Sequence, residues 1–349
     1  MKQIWIAGCA AAMVLAAPLY AYDGWHQESA TPIESKNASF DYITYDGTAH
    51  RLFLGHRKEG LQVFDLATKK IVKVIDGTPG HSSNGALLMP EYDLGISNNE
   101  DGTITPFKMS TLEAREAIKL AEAIDTSHYD PSTKRIVVNT GAGKEGTDLI
   151  VLETPSLKVA GKIFVKTVKA EHAEGDGKGN FYLASREPAK LYRIDTKSMK
   201  VTAEWDTPGC AQTNSLALDA ANNRIFLGCR GSVSGGAVKP SLAVVNAETG
   251  AVIYTSEIGA NNDGVIFDPQ TKRIFAANGG SANINIFEQI DANTYKPLEV
   301  LNTHPTVKVL AYDHINKKLY SMGAEASLDV GGKRVVRFPN SFVVYTYSK

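Results

Sequence analysis

Cysteine is scarce in this chain, with three among 349 residues, so a disulfide-built scaffold is excluded. Neither sign of charge is in excess: 37 basic and 38 acidic side chains leave a net charge of −1. The basic stripe that polyanion binding normally needs is therefore missing. Beyond the first residues no apolar run approaches the length of a transmembrane helix. There is no nucleophile elbow, phosphate loop, zinc motif or haem-attachment motif, so the enzyme classes those motifs announce are not indicated.

The N-terminus reads as an export signal. Lys2 and the amino group supply charge, an apolar run spans Ile4 to Ala17, Pro18 breaks it, and Ala21 is a small residue suited to cleavage. Ile6-Ala7-Gly8-Cys9 resembles a lipoprotein box, but almost no hydrophobic segment precedes its cysteine. Residues 1–21 are thus expected to be removed, and 22–349 to form one domain in the periplasm or outside the cell. That domain would carry 36 basic and 38 acidic side chains. Its two cysteines, Cys210 and Cys229, are expected to pair as a disulfide in an oxidising compartment.

One phrase recurs: an apolar strand ending in Asp, a polar turn, Arg or Lys with an apolar triplet, then a third strand and a Thr/Lys turn. Phe267-Asp268 to Arg273-Ile274-Phe275 is one copy, and Tyr129-Asp130 to Arg135-Ile136-Val137 is another. Leu218-Asp219, Tyr312-Asp313, Tyr45-Asp46 and the weaker Gly175-Asp176 repeat it, with Met89 in the slot of the second unit. The anchors at 46, 89, 130, 176, 219, 268 and 313 are 41 to 49 residues apart. That period fits four short strands per blade. The expected fold is all-β, a seven-bladed β-propeller of four-stranded blades. The last unit ends at its third strand, so the segment around Gly24 to Ala30 is expected to close the ring as its outer strand. The polar stretch Thr111 to Glu122 is read as the edge strand of blade two.

With these repeats the chain resembles the YVTN-type (YncE-like) periplasmic seven-bladed propellers over nearly all of residues 22–349. The likeness rests on Phe40-Asp41-Tyr42-Ile43 with His50-Arg51-Leu52-Phe53, and on Val63-Phe64-Asp65 with Thr68. Arg135 to Asn139, Arg273 to Gly279, and Cys210 with Leu227-Gly228-Cys229-Arg230 extend it. Its motifs speak for the fold more than for an activity. Asn84-Gly85 stands where relatives often have His-Gly, and Ile124-Asp125 and Ala170-Glu171 stand where they have Pro-Asp and Pro-Glu. Some relatives carry a nucleic-acid-binding label, which the charge balance here does not support.

The residue five before each anchor is Asp41, Asn84, Asp125, Glu171, Asn214, Asp263 and Lys308, and every one is polar. At equivalent strand starts they would ring the channel mouth. Four carboxylates sharing a narrow mouth repel unless a cation, Lys308 or a nearby arginine compensates. Loops on the same end carry His56-Arg57, Asn98-Asn99, Arg186 and Arg230, whose forks suit a carboxylate or phosphate. The same ring also serves a plain structural purpose, bonding interblade backbone groups around a water-filled channel. His81, His128, His172 and His304 lie near this level and are candidates for a bound metal ion, although they share no repeat position. His128 and Glu174 occupy equivalent positions in adjacent blades and are expected to pair by hydrogen bonding.

Two function classes follow. One is an exported propeller, a monomer, binding a small polar or cationic ligand or a periplasmic protein at the mouth. The other is an enzyme using the same mouth, a metal-assisted lactonase or lyase or a copper oxidoreductase. No cofactor other than that metal ion is indicated.

Overall fold

A computed structural model describes residues 23–75, 82–232, 238–328 and 335–349. The expected export signal and His81 lie outside the described residues. The recurring phrase folds as expected: seven four-stranded antiparallel sheets stand in a ring, a β-propeller with almost no helix. In blades one to six the strands run in chain order from the axis outward. The innermost strands are Ile43–Asp46, Ser83–Met89, Thr126–Asp130, Lys169–Gly175, Thr213–Asp219, Asn262–Asp268 and Leu310–Asp313. Blade seven departs from chain order. The strand His26–Pro32 pairs outside Val343–Ser348, from His26 opposite Ser348 to Pro32 opposite Val343. Both ends of the described chain are thereby tied into one sheet, which leaves the ring without an open break.

The repeated aspartate explains the period. Its carboxylate accepts from backbone N–H groups two or three residues on, as Asp130 does from Ser132 (3.0 Å) and Asp313 from Ile315 (2.9 Å). That Asx turn reverses the chain, and a left-handed residue such as Lys134, Lys272 or Lys317 (φ 55° in each) starts the return strand. Most of these aspartates also reach the next blade. Asp130 accepts from Thr196 (2.8 Å), Asp219 from Gln289 (2.8 Å), Asp268 from Tyr312 (3.0 Å) and Asp313 from Tyr45 (2.8 Å). Burial opposes the ionised form of Asp268, but its hydrogen bonds from Thr271 and His314 outweigh this and hold its pKa at about 2. The repeat signature is therefore a blade-to-blade fastener on the face away from the ring.

The apolar core is divided. Seven clusters of buried side chains occur among the described residues, and each lies between two neighbouring blades. Phe53, Val63 and Phe107 join blades one and two, and Phe40, Leu54, Met322 and Phe342 join seven and one. Because apolar area is spent between blades, the axis itself is left unfilled.

The edge of blade two differs from expectation. Only Ile118–Lys119 of the stretch from Thr111 to Glu122 is strand, with a single bridge from Ala114 to Phe107. The cause is Pro106 in the third strand, whose carbonyl accepts from Arg115 (2.8 Å). A strand residue's N–H and C=O point the same way, so the N–H that proline lacks faces the outer strand and interrupts the ladder.

Candidate functional site: the two ends of the central channel

At one end, the backbone turns the ring residues toward the axis with β-bulges. The register slips between Ser83 and Gly85, Thr213 and Ser215, and Asn262 and Gly264, leaving Asn84, Asn214 and Asp263 as the extra residues. The slip between Ala170 and Ala173 contains Glu171 and His172. Asp41 and Tyr42 both bond Gly55, and Asp125 donates to Asn139 O, already the partner of Thr126. A bulge re-aims a side chain in this way. Gly55 is required here, because a Cβ on it would lie 2.3 Å from the Asn84 carbonyl oxygen.

The ring residues meet one another through cations. Arg57 bonds Asp41 (2.5 Å), Asn84 (2.8 Å) and Glu100 (3.2 Å). Lys308 bridges Asp41 (3.5 Å) and Asp263, and Arg230 also pairs with Asp263. Asn214 donates to Asp263 (2.5 Å) and accepts from Arg186 (2.6 Å), which pairs with Glu171 (2.5 Å). Lys169 lies between Asp125 (3.3 Å) and Glu171 (3.8 Å), while the Asn84 amide donates to Ile124 O (2.8 Å). All seven ring residues and the three candidate arginines therefore belong to one network. Sequence reasoning missed Lys169 and Glu100. The first stands two residues before Glu171, and the second directly follows Asn98-Asn99, so position near the ring was their only signal.

Compensation thus comes from the protein itself, with five cations against four ring carboxylates and Glu100. Burial raises Asp41, although Lys308 and Arg57 pull it back. Burial raises Glu171 to about 7 against the pull of Lys169 and Arg186. Burial also works on Asp263, but Lys308 and Arg230 prevail and hold it well below the usual carboxylate range. Tyr42 sits beneath the ring. Burial and then the charges of Asp125, Asp41, Asp263 and Glu171 push its hydroxyl well up.

Above the ring, Arg337 reaches in from the hairpin strand Val335–Arg337 of blade seven and lies over Phe40, 5.2 Å from the ring centre. Among the described residues it forms no ion pair, and its Nε is buried without a hydrogen-bond partner. Burial depresses its pKa, Arg57 depresses it further, and Asp41 and Asp263 act the other way. Sequence reasoning missed this residue because it belongs to an insertion outside the repeat.

Below Tyr42 the channel widens into a cavity of about 700 Å³, bounded at the far face by the turn Asp46-Gly47-Thr48, Pro90 and Ile315. None of the seven ring residues lines it. His128 and His172 do, and their rings stand edge to face at 4.8 Å. Burial keeps both imidazoles neutral, His172 at about 4 and His128 well below its ordinary value.

Against known proteins, no family model matches the chain and no curated protein matches it. Solved structures do. One chain titled "Crystal Structure of Mitotic Checkpoint Complex" superposes with a TM-score of 0.71 at 11% identity, over 92% of this chain and 96% of that one. Another, titled "Kuenenia stuttgartiensis Hydrazine Synthase", gives a TM-score of 0.70 at 12% identity, over 88% and 97%. At such identities the likeness is one of fold alone. The fold is a seven-bladed β-propeller.

Two histidine expectations are corrected in this propeller. His128 does not pair with Glu174: its Nε2 faces Thr126 Oγ1 (3.2 Å) and accepts from the Ala173 N–H (3.4 Å), because the blade-four bulge brings His172 alongside instead. Glu174 Oε2 is left buried without a partner among the described residues, and burial raises its carboxyl to about 8. His304 does not join them either, since it stacks on Tyr345 (4.9 Å) in blade seven. Among the described residues no three His, Cys, Asp or Glu side chains are grouped to hold a metal ion. Cys210 and Cys229 are joined, with Cα atoms 5.2 Å apart. The bulge sets Cys229 opposite Thr213. The bridge pins the blade-five connection beside the ring. No helix among the described residues is long and apolar enough to cross a membrane.

Proposed function

We propose that this chain is an exported binding propeller of the YVTN type, which holds an anionic group of a small polar ligand or protein partner at the ring-bearing mouth. The observation that carries this is Arg337. Every ring carboxylate already has a cationic partner, so an added cation meets no free acid. Arg337 is a guanidinium fixed over Phe40 with no carboxylate of its own among the described residues, beside the like charge of Arg57. An anion relieves that repulsion and fills the fork.

The test is calorimetric titration of the protein with inorganic phosphate and, separately, with methylammonium chloride at matched ionic strength. Phosphate should bind saturably, and Arg337→Ala should weaken it about tenfold. Equal binding by the variant, or binding of methylammonium instead, would remove the reading. Export is checked separately: a chain starting at Tyr22 should be recovered from the exported fraction.

A further inference from the structure

We propose a second binding site, independent of the mouth: the central cavity takes a small, neutral aromatic molecule carrying hydroxyl groups, entering from the face opposite the ring. The space is suitable, since about 700 Å³ lies within the range of small-molecule sites. Its wall is largely apolar, with Leu87, Leu88 and Leu310, and its rim carries Ile315, a large hydrophobic residue 80% exposed to solvent.

Polar groups in the wall lack partners. Asn98 (3% exposed) and Ser127 (6%) both line the cavity, and Asn98 Oδ1 and Ser127 Oγ have no hydrogen-bond partner among the described residues. Buried polar atoms are rarely left so, and in a native protein ordered water or a bound guest completes them. Asn98 Oδ1 can only accept. His128, whose Nε2 accepts from the Ala173 N–H, is left with Nδ1–H to donate. His172 makes no side-chain hydrogen bond among the described residues, and a neutral imidazole offers one donor and one acceptor. A hydroxyl group both donates and accepts, so it matches this mixed set.

Charge narrows the class. Asp46, at the rim, is bound to Arg51 (2.9 Å), and both imidazoles are neutral at neutral pH. Glu174, in an adjoining recess that shares His128, Leu87 and Leu88 with the cavity, is held protonated by burial near neutrality. Among the described residues the wall therefore offers no unpaired charge, and an ionic guest would lose its hydration uncompensated. Shape narrows it further. Tyr42, His172 and His128 form an aromatic corner, with ring centres 6.3 and 4.8 Å apart, suited to edge or offset stacking by a planar ring.

Saturation-transfer NMR and calorimetry with resorcinol test this, with sorbitol and methylammonium as comparison probes. Resorcinol should bind saturably and the other two should not. Ala86→Leu, which fills the cavity, should abolish binding, and His172→Phe should weaken it about tenfold, with circular dichroism confirming that both fold. Arg337→Ala should leave resorcinol binding unchanged, which separates this site from the mouth. No saturable binding, equal binding of sorbitol, or full binding by Ala86→Leu would each overturn the proposal; the first result would mean that the channel holds water only.

Discussion

The two ends of one channel share strands of several blades, yet they solve opposite problems. At the ring end, bulges gather four carboxylates and five cations so closely that almost every polar group is satisfied from within. At the cavity end, these strands leave an open space with an amide oxygen and a hydroxyl unpartnered among the described residues, and with histidines and a glutamic acid kept uncharged by burial. A closed charge network is stiff and costly to interrupt, because removing one member strands its partners. The cavity wall, largely apolar and outside that network, should tolerate change better.

Substitutions can break this comparison or sharpen it. The largest effect should follow removal of the chain through Ala30, which strips blade seven of most of its outer strand and loosens both ends at once. The melting temperature should fall by about 10 °C or more, and an unchanged value would show that the closing strand is dispensable. Next comes Asp263→Asn, which strips Arg230 of its paired carboxylate and leaves Lys308 only the longer contact to Asp41 (3.5 Å). Chemical denaturation should show a loss of about 3 kcal/mol; a loss within error would mean that the ring is not a single network.

At the cavity end the effects depend on pH. Glu174 titrates at about 8 in the folded protein against an ordinary 4.5, so between those values the folded state binds more protons than the unfolded. Its presence therefore lowers stability as pH rises from about 5 to 8. Glu174→Gln should stay close to the parent at pH 5 and exceed it by about 3 kcal/mol at pH 8 or above. Parallel curves would place this carboxyl in water. His172 has the opposite sign: its value of about 4 means stability is lost as pH falls through the range from its ordinary 6.5. The smallest change is expected for Ala86→Leu, within about 1 kcal/mol of the parent. A loss of several kcal/mol would show that the space is already packed.

Much of this was legible before the structure. The aspartate-to-arginine phrase marks seven hairpins because Asx turns require a short acidic side chain at a fixed place. Counting five residues back found all seven ring members, and position in the blade found Arg57, Arg186 and Arg230. Lys169, Glu100 and Arg337 escaped because they join the ring by reach across blades, which no repeat position encodes. The His128–Glu174 pairing failed for a related reason. Equivalent positions in adjacent blades ought to face each other, but a bulge in blade four moved His172 into that place.

Local chemistry, then, belonged to the sequence: strand periods, turns, the number of blades, and the need for an outer strand from the N-terminal segment. Each depends on neighbours along the chain, or on a count that has to close. Tertiary structure decided the charge state of the mouth and the existence of the cavity. Both depend on which side chains from different blades arrive at the same point, and on the apolar area already used between blades. Burial at that point then sets whether a carboxyl or imidazole carries charge, as Asp263, Glu174 and His172 show.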